Sequence, residues 1–189
     1  MQATRAFFDP FVLVVPSFLD TSAIATWRAR VEALAYEADA PIRTAHGFAR
    51  RPSRRNNDRA VVDRHDWAEA MWPATRAVLP PVDGYEAVGL NERFRVYRYG
   101  PGQRFAPHLD GSFVRPGGEA RSLLTWLLYL EGDCVGGATH LPHHDLEVAP
   151  VPGTLLVFEH RQLHAGLAVR EGRKTVLRSD VMYRAVAPR

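Results

Sequence analysis

His108-Leu109-Asp110, with His164 standing 56 positions after His108, are the residues of this chain whose types and spacing promise the most specific chemistry. Two imidazoles and one carboxylate can occupy one triangular face of an octahedral Fe(II) ion. Three positions then stay free for a bidentate co-substrate and dioxygen. Any surface loop can produce a His-x-Asp pair, so the surrounding residues must decide. His160, four residues before His164, competes with it as a ligand. His140, His143 and His144 flank Pro142 and read as solvent-facing loop residues rather than a second metal cluster.

A dicarboxylate chelating such a metal at one end needs a cation at the other. Period-two alternation along residues 174–182 puts Lys174, Val176, Arg178, Asp180 and Met182 on one face, and His164 lies only ten residues before Lys174. Arg offers a fork of two parallel hydrogen bonds, Lys a point charge. Either can stand inside a β-core only if paired. The same alternation gathers Arg95, Tyr97 and Tyr99 on one face, opposite Phe94, Val96 and Arg98. It sets Leu123, Thr125, Leu127 and Tyr129 opposite the apolar Leu124, Trp126 and Leu128. Arg95, Tyr97, Thr125 and Leu127 are therefore candidate lining of a substrate cavity, although a register slip of one residue would turn all of them outward.

The elements that must position these residues change character along the chain. Phe11–Val15 reads as a short buried strand stopped by Pro16. Asp20-Thr21-Ser22 offers N-cap chemistry, and Ala23, Trp27, Val31, Leu34 and Ala35 follow at helical spacing, which predicts a helix to about Glu37. Residues 39–65 lack periodicity and read as a loop. A second helix is expected from Asp66 to about Val78, with Pro73 against it. Trp27, Trp67 and Trp72 are core residues between helices and sheet. After Pro80, short β-rich runs are predicted at 92–99, 123–130, 139–141, 146–148, 154–158, 167–169 and 174–183. This spacing suggests a sandwich or barrel beneath two helices.

The 189 residues suit a single domain with a real core. A net charge of +3 attracts small anions but is too small to argue for nucleic acid. The lone Cys134 excludes an internal disulfide and fits a reducing compartment, so a cytoplasmic location is expected. Phe11–Val15 is too short for a membrane span or a signal-peptide core, and no membrane partner is expected. The basic run Arg51–Arg59 reads as a solvated loop, with a lid over the substrate as the sharper alternative.

Ordered motifs run from Tyr99-Gly-Pro-Gly-Gln-Arg-Phe-Ala-Pro-His108-Leu-Asp110 through Tyr129-Leu-Glu131, Gly136-Gly-Ala-Thr139 and Pro152-Gly-Thr-Leu-Leu-Val-Phe158. The series ends with His164-Ala-Gly166 and Gly172-Arg-Lys174. This series resembles the 2-oxoglutarate/Fe(II)-dependent oxygenases of the prolyl 4-hydroxylase type over roughly residues 84–184. The resemblance implies a mainly β fold with flanking helices, a double-stranded β-helix (jelly-roll or cupin-like) core over residues 84–189 packed against helical support and a lid loop over residues 1–83. It implies Fe(II) held by His108, Asp110 and His164, the Ala-Gly after His164 matching the family pattern better than the residues after His160. It also implies 2-oxoglutarate as co-substrate, held through Tyr99, Tyr129 and a cation on the last strand, with O2 as oxidant and ascorbate as a candidate reductant. In the prolyl-hydroxylase pattern that cation is Lys174. In oxidative nucleic-acid demethylases it lies nearer Arg178, with a second arginine six residues on, which Arg184 matches. Arg178 is preferred for its bidentate geometry and Lys174 remains its rival.

The reading is a 2-oxoglutarate-dependent Fe(II) dioxygenase that hydroxylates a protein or peptide side chain such as prolyl, or a small metabolite, releasing succinate and CO2. Asp110 favours hydroxylation over halogenation, because related halogenases lack this carboxylate. Two alternatives stand beside it: a demethylase of methylated nucleic acid, and a metal- or metabolite-binding sensor without turnover.

Overall fold

The computed structural model describes residues 11–44 and 47–186. In chain order the elements are β1 (Val12–Val15), α1 (Thr21–Glu32), β2 (Ile42–Thr44), β3 (Gly47–Ala49), β4 (Asp58–Asp63), α2 (His65–Val78), β5 (Tyr85–Leu90), β6 (Arg93–Tyr99) and β7 (Phe105–His108). The second half continues with β8 (Arg121–Gly136), β9 (Thr139–Leu141), β10 (Leu146–Val148), β11 (Leu155–Glu159), β12 (His164–Gly166) and β13 (Val169–Ala185). One antiparallel sheet runs β1-β11-β8-β13-β6-β4, with β5 also paired to β13. A smaller sheet runs β10-β9-β12-β7, and β2-β3 form a separate hairpin. Together the two larger sheets make a double-stranded β-helix with two helices against one face.

Alternation decides which face of the large sheet meets the helices. Phe94, Val96, Leu124, Trp126, Leu128 and Leu177 pack with Trp27, Val31, Trp67 and Met71 of α1 and α2. Trp27, Trp67, Phe94 and Trp126 form an edge-to-face series with centroids 5.2, 5.6 and 6.5 Å apart. The Trp126 indole N–H donates to Thr75 of α2 at 3.1 Å, tying helix to sheet. The opposite face carries Tyr97, Tyr99, Leu127, Tyr129 and Val176, packed on Leu141 and Val148 of the small sheet.

Several local expectations need correction. Asp20 caps α1 through a 2.8 Å bond from the Ala23 N–H, but the helix ends at Glu32 rather than about Glu37. There the Tyr36 hydroxyl and the Leu34 N–H both turn back onto the Val31 carbonyl. Pro73 is accommodated inside α2 on its exposed face, away from the buried Trp67, Ala68, Met71 and Thr75. Residues 39–65 are no simple loop, since they hold β2, β3 and β4. The last is an edge strand whose charges hid it: only Ala60 is buried, and Asp63 forms a two-pronged pair with Arg93 across the ladder. The strand expected at 167–169 falls instead at 164–166, while Val169 opens β13. The short β7, an edge strand containing Pro107, and β5 were not anticipated.

Candidate functional site

His108 closes β7 and His164 opens β12, and these two strands pair with the histidines directly opposite each other. Antiparallel register thus brings together two imidazoles that are far apart in sequence, their centroids 4.2 Å apart. Asp110, two residues beyond His108, is anchored by its own N–H to the His160 carbonyl at 3.0 Å. One ligand atom from each of His108, Asp110 and His164 lies within 4.8 Å of the others, and no other such metal-binding group exists among the described residues.

The hydrogen bonds fix which atoms face the centre. The Nδ1 of His108 meets the Ala106 carbonyl at 2.9 Å and that of His164 meets the Gln162 carbonyl at 3.0 Å. A carbonyl only accepts, so each Nδ1 carries the proton and each Nε2 presents a lone pair inward. Burial, reinforced by the neighbouring His164, pulls the His108 pKa down to about 4, which keeps its imidazole neutral. Burial alone would push the Asp110 carboxyl up. Arg178, then the two imidazoles and the Thr125 hydroxyl, instead hold it far below the usual carboxylate range. Two imidazoles and a carboxylate are a fitting donor set for Fe(II).

Behind Asp110 runs a chain that sequence reasoning did not anticipate. The Thr125 hydroxyl donates to Asp110 Oδ2 at 2.6 Å. His160 Nδ1 lies 2.9 Å from the same hydroxyl and its Nε2 lies 2.8 Å from the Ser122 hydroxyl. Thr125 spends its single proton on Asp110, so His160 Nδ1–H must donate to Thr125 and Nε2 must accept from Ser122. His160 therefore stands behind the triad and, through Thr125, supports the Asp110 carboxylate. Thr125, fully buried, lines neither cavity described below.

Lys174 and Arg178 have different surroundings. Arg178 lies 3.1 Å from Asp110 Oδ2 and 3.0 Å from Asp180, so two carboxylates already neutralise it. They keep its charge against the opposing effect of burial. Lys174, 1% exposed, donates to the Gly137 carbonyl and stands 4.5 Å above the Tyr99 ring. It has no carboxylate partner among the described residues, and burial pulls its pKa down to about 8. Lys174, Arg178, Tyr97, Tyr99, Leu127 and Thr139 line an inner pocket that opens onto the triad. Tyr129 is not in that lining: its hydroxyl donates to Thr139 at 2.7 Å, so it reaches the pocket only through that residue. Thr139 and Phe105 line the pocket without having been singled out from sequence.

Outside the triad an open cleft of about 410 Å³ is lined by Arg95, Tyr97 and Phe113, and by Arg54, Arg55 and Arg59 of the basic run. That run is not simply solvated. Arg55 is 4% exposed and bridges to Phe105 of β7. Arg184 lies well away, half-exposed and paired with Glu86 at 2.7 Å, which removes the spacing argument for a nucleic-acid demethylase. His144 bonds Gln162 at 3.2 Å, and His140 sits in β9 opposite Ala165 and Glu147.

Comparison with known proteins now bears on this geometry. Residues 94–179 match the family model described as the 2OG-Fe(II) oxygenase superfamily. Over that stretch, a little under half of its length, the chain is similar to the 2OG-Fe(II) oxygenase superfamily. It is a dioxygenase that uses Fe(II), 2-oxoglutarate and O2. No curated protein matches the chain. Among solved structures, it is similar to a viral collagen prolyl hydroxylase from Paramecium Bursaria Chlorella virus-1, in complex with 2-oxoglutarate. The identity is 20%, covering 94% of this chain and 97% of that one, at a TM-score of 0.63. A Pseudomonas putida prolyl-4-hydroxylase is 16% identical over 92% of this chain and 93% of its own, at 0.62. A Trichoplax adhaerens prolyl hydroxylase, complexed with a hypoxia inducible factor peptide fragment, is 13% identical over 90% and 82%, at 0.65. These likenesses establish the shared fold. Among the described residues no helix is long and apolar enough to cross a membrane.

Proposed function

We propose that this oxygenase hydroxylates an aliphatic C–H bond of a substrate lying in the outer cleft, with His108, Asp110 and His164 as the iron ligands. The substrate is a peptide side chain such as prolyl, or a small metabolite. Peptide and collagen substrates belong to the structural relatives by name, and the open cleft admits either kind. The lone Cys134 supports a cytoplasmic setting.

One observation carries the reading: a fully buried lysine without a carboxylate partner at the base of a pocket that opens on the triad. Burying an unpaired ammonium is costly, and the distal carboxylate of 2-oxoglutarate would complete it. Lys174 therefore takes that carboxylate, with Tyr99 and Thr139 beside it. Arg178, committed to Asp110 and Asp180, instead orients the Asp110 carboxylate together with Thr125. When bound, Fe(II) and 2-oxoglutarate supply the oxidising chemistry: one atom of O2 enters succinate, CO2 leaves, and the other atom becomes the product hydroxyl. The chain's own work is to chelate, to orient both carboxylates and to shield the inner pocket.

The test is an anaerobic titration of the purified chain with Fe(II) and 2-oxoglutarate, monitored by the visible metal-to-ligand charge-transfer band. The band should form in wild type and vanish in Asp110→Ala, together with turnover. A wild type that binds metal without a band overturns the co-substrate assignment, and undiminished turnover in Asp110→Ala overturns the ligand assignment.

A further inference from the structure

Lys174 is not the only buried cation of the site region lacking a carboxylate. Arg55, 96% buried by its 4% exposure, sits in the wall of the outer cleft. Its Cζ lies 4.5 Å from the Tyr97 ring centroid and 4.5 Å from that of Phe105, so two aromatic rings hold the guanidinium. Its Nε donates to Asn57 Oδ1 at 2.7 Å. Its Nη2 is buried and has no hydrogen-bond partner among the described residues. Cation–π contact offsets only part of the cost of burying a charge, and it offers nothing to a guanidinium N–H.

The neighbourhood makes the imbalance larger. Arg59 and Arg95 line the same cleft, and each also has a buried guanidinium nitrogen without a hydrogen-bond partner. Arg59 donates to the Pro41 carbonyl and to the half-exposed Glu37, each at 3.5 Å, and Arg50 shares that carboxylate. Arg95 lies 3.7 Å from Asp180, which Arg178 already engages at 3.0 Å. Three arginines thus crowd one wall against two carboxylates that are both shared elsewhere. Such a wall is assembled to receive an anion.

Its distance from the triad limits what that anion belongs to. Phe105, which carries the Arg55 guanidinium on one side, stacks on the His108 ring with centroids 3.5 Å apart. The free edge of Arg55 is one ring removed from a candidate iron ligand.

Resting on the hydroxylase reading above, we propose that the substrate carries a carboxylate a few bonds from the oxidised carbon, bound by Arg55 with Arg59 and Arg95 beside it. A planar carboxylate matches the fork of a guanidinium, and it would supply the partner that Arg55 Nη2 lacks. The carboxylate can come from a free amino-acid-like metabolite or from an acidic side chain in a peptide.

The test uses the full chain loaded anaerobically with Fe(II) and 2-oxoglutarate. Probes are matched pairs differing only in charge: free amino acids against their amides, and blocked tripeptides containing Asp or Glu against their Asn or Gln counterparts. Retention in equilibrium dialysis is read by mass spectrometry for wild type, Arg55→Gln and Arg95→Gln, and the charge-transfer band is recorded on the same samples. Wild type should retain at least one carboxylate probe about tenfold over its amide. Arg55→Gln should abolish that preference and Arg95→Gln should weaken it. Retention confined to the amino-acid arm identifies a metabolite, and retention confined to the tripeptide arm identifies an acidic peptide. Equal retention of carboxylates and amides, retention of no carboxylate in either arm, or a preference intact in both variants would overturn the inference. A missing band in wild type would instead overturn the oxygenase site beneath it. If Arg55→Gln fails to fold, Arg95→Gln, whose side chain is partly exposed, decides the matter.

Discussion

Leu127 and Leu128 are neighbours in β8, yet they belong to regions built on different principles. Leu128 faces the helices, within a core of Trp, Phe, Leu and Val that contains almost no charge. Leu127 faces the inner pocket, beside Tyr97, Lys174 and Arg178. The same alternation divides β6 and β13. One face of the large sheet contributes stability through apolar burial and interdigitated rings. The other face gives up part of that gain to hold charges in place: Arg178 between two carboxylates, Lys174 with a carbonyl and a tyrosine ring, Arg55 with rings and an amide oxygen. The contrast teaches that this sheet separates folding from recognition residue by residue rather than domain by domain.

Substitutions on the two faces should therefore separate cleanly. Leu128→Ala should cost about 2–5 kcal/mol of stability in denaturant unfolding, since Leu128 is fully buried, and leave 2-oxoglutarate affinity unchanged. An affinity loss matching the stability loss would break the distinction. On the pocket face, Lys174→Met should behave in the opposite sense. Affinity for 2-oxoglutarate, measured by calorimetry, should fall about 10–100-fold, while the apoprotein should become more stable because an unpaired buried charge is gone.

The pH dependence sharpens the same point. Burial lowers Lys174 from its ordinary 10.5 to about 8, so the folded state sheds its proton before the unfolded state does. Between about pH 8 and 10.5 the unfolded chain binds more protons at this residue, and the apoprotein gains stability from Lys174 as pH rises through that window. Unfolding of wild type minus Lys174→Met across this range should reveal that slope. Over the same rise, 2-oxoglutarate affinity should decline as the ammonium is lost. The smallest effect is expected one layer back from the triad: Thr125→Val removes the donor to Asp110 and should weaken Fe(II) binding about tenfold, read by metal titration, with little change in 2-oxoglutarate affinity at saturating metal.

The parts legible in the sequence were those whose information is local. The His-x-Asp pair, the Asp20 cap and the alternation in β6, β8 and β13 all follow from spacing within a single element. Strand period puts Tyr97, Leu127 and Lys174 on the face that lines the inner pocket. It did not reveal that Thr125 on that same face is covered by Asp110 and buried away from the cavity. Strand β4 was missed because an edge strand exposes its charges, and its alternation carries little apolar signal. Arg55 read as one basic residue among several. Its burial depends on Phe105, fifty residues later, and on Tyr97 in β6.

The sequence by itself determined the chemistry available: two histidines and a carboxylate at recognisable spacing, two cations on one strand face, and an apolar alternation strong enough to mark β6, β8 and β13 of the large sheet. Tertiary structure decided which group does what. Lys174 and Arg178 are equivalent by period, but Asp110, from the segment after β7, and Asp180 neutralise Arg178, while Lys174 meets only the Gly137 carbonyl and the Tyr99 ring among the described residues. His160 and His164 are likewise close in sequence, but the pairing of β12 with β7 brings His164 to His108, while the loop before β12 sends His160 behind Asp110. Charge and hydrogen-bond capacity are properties of a residue. Whether they are already satisfied depends on partners that only the folded chain supplies.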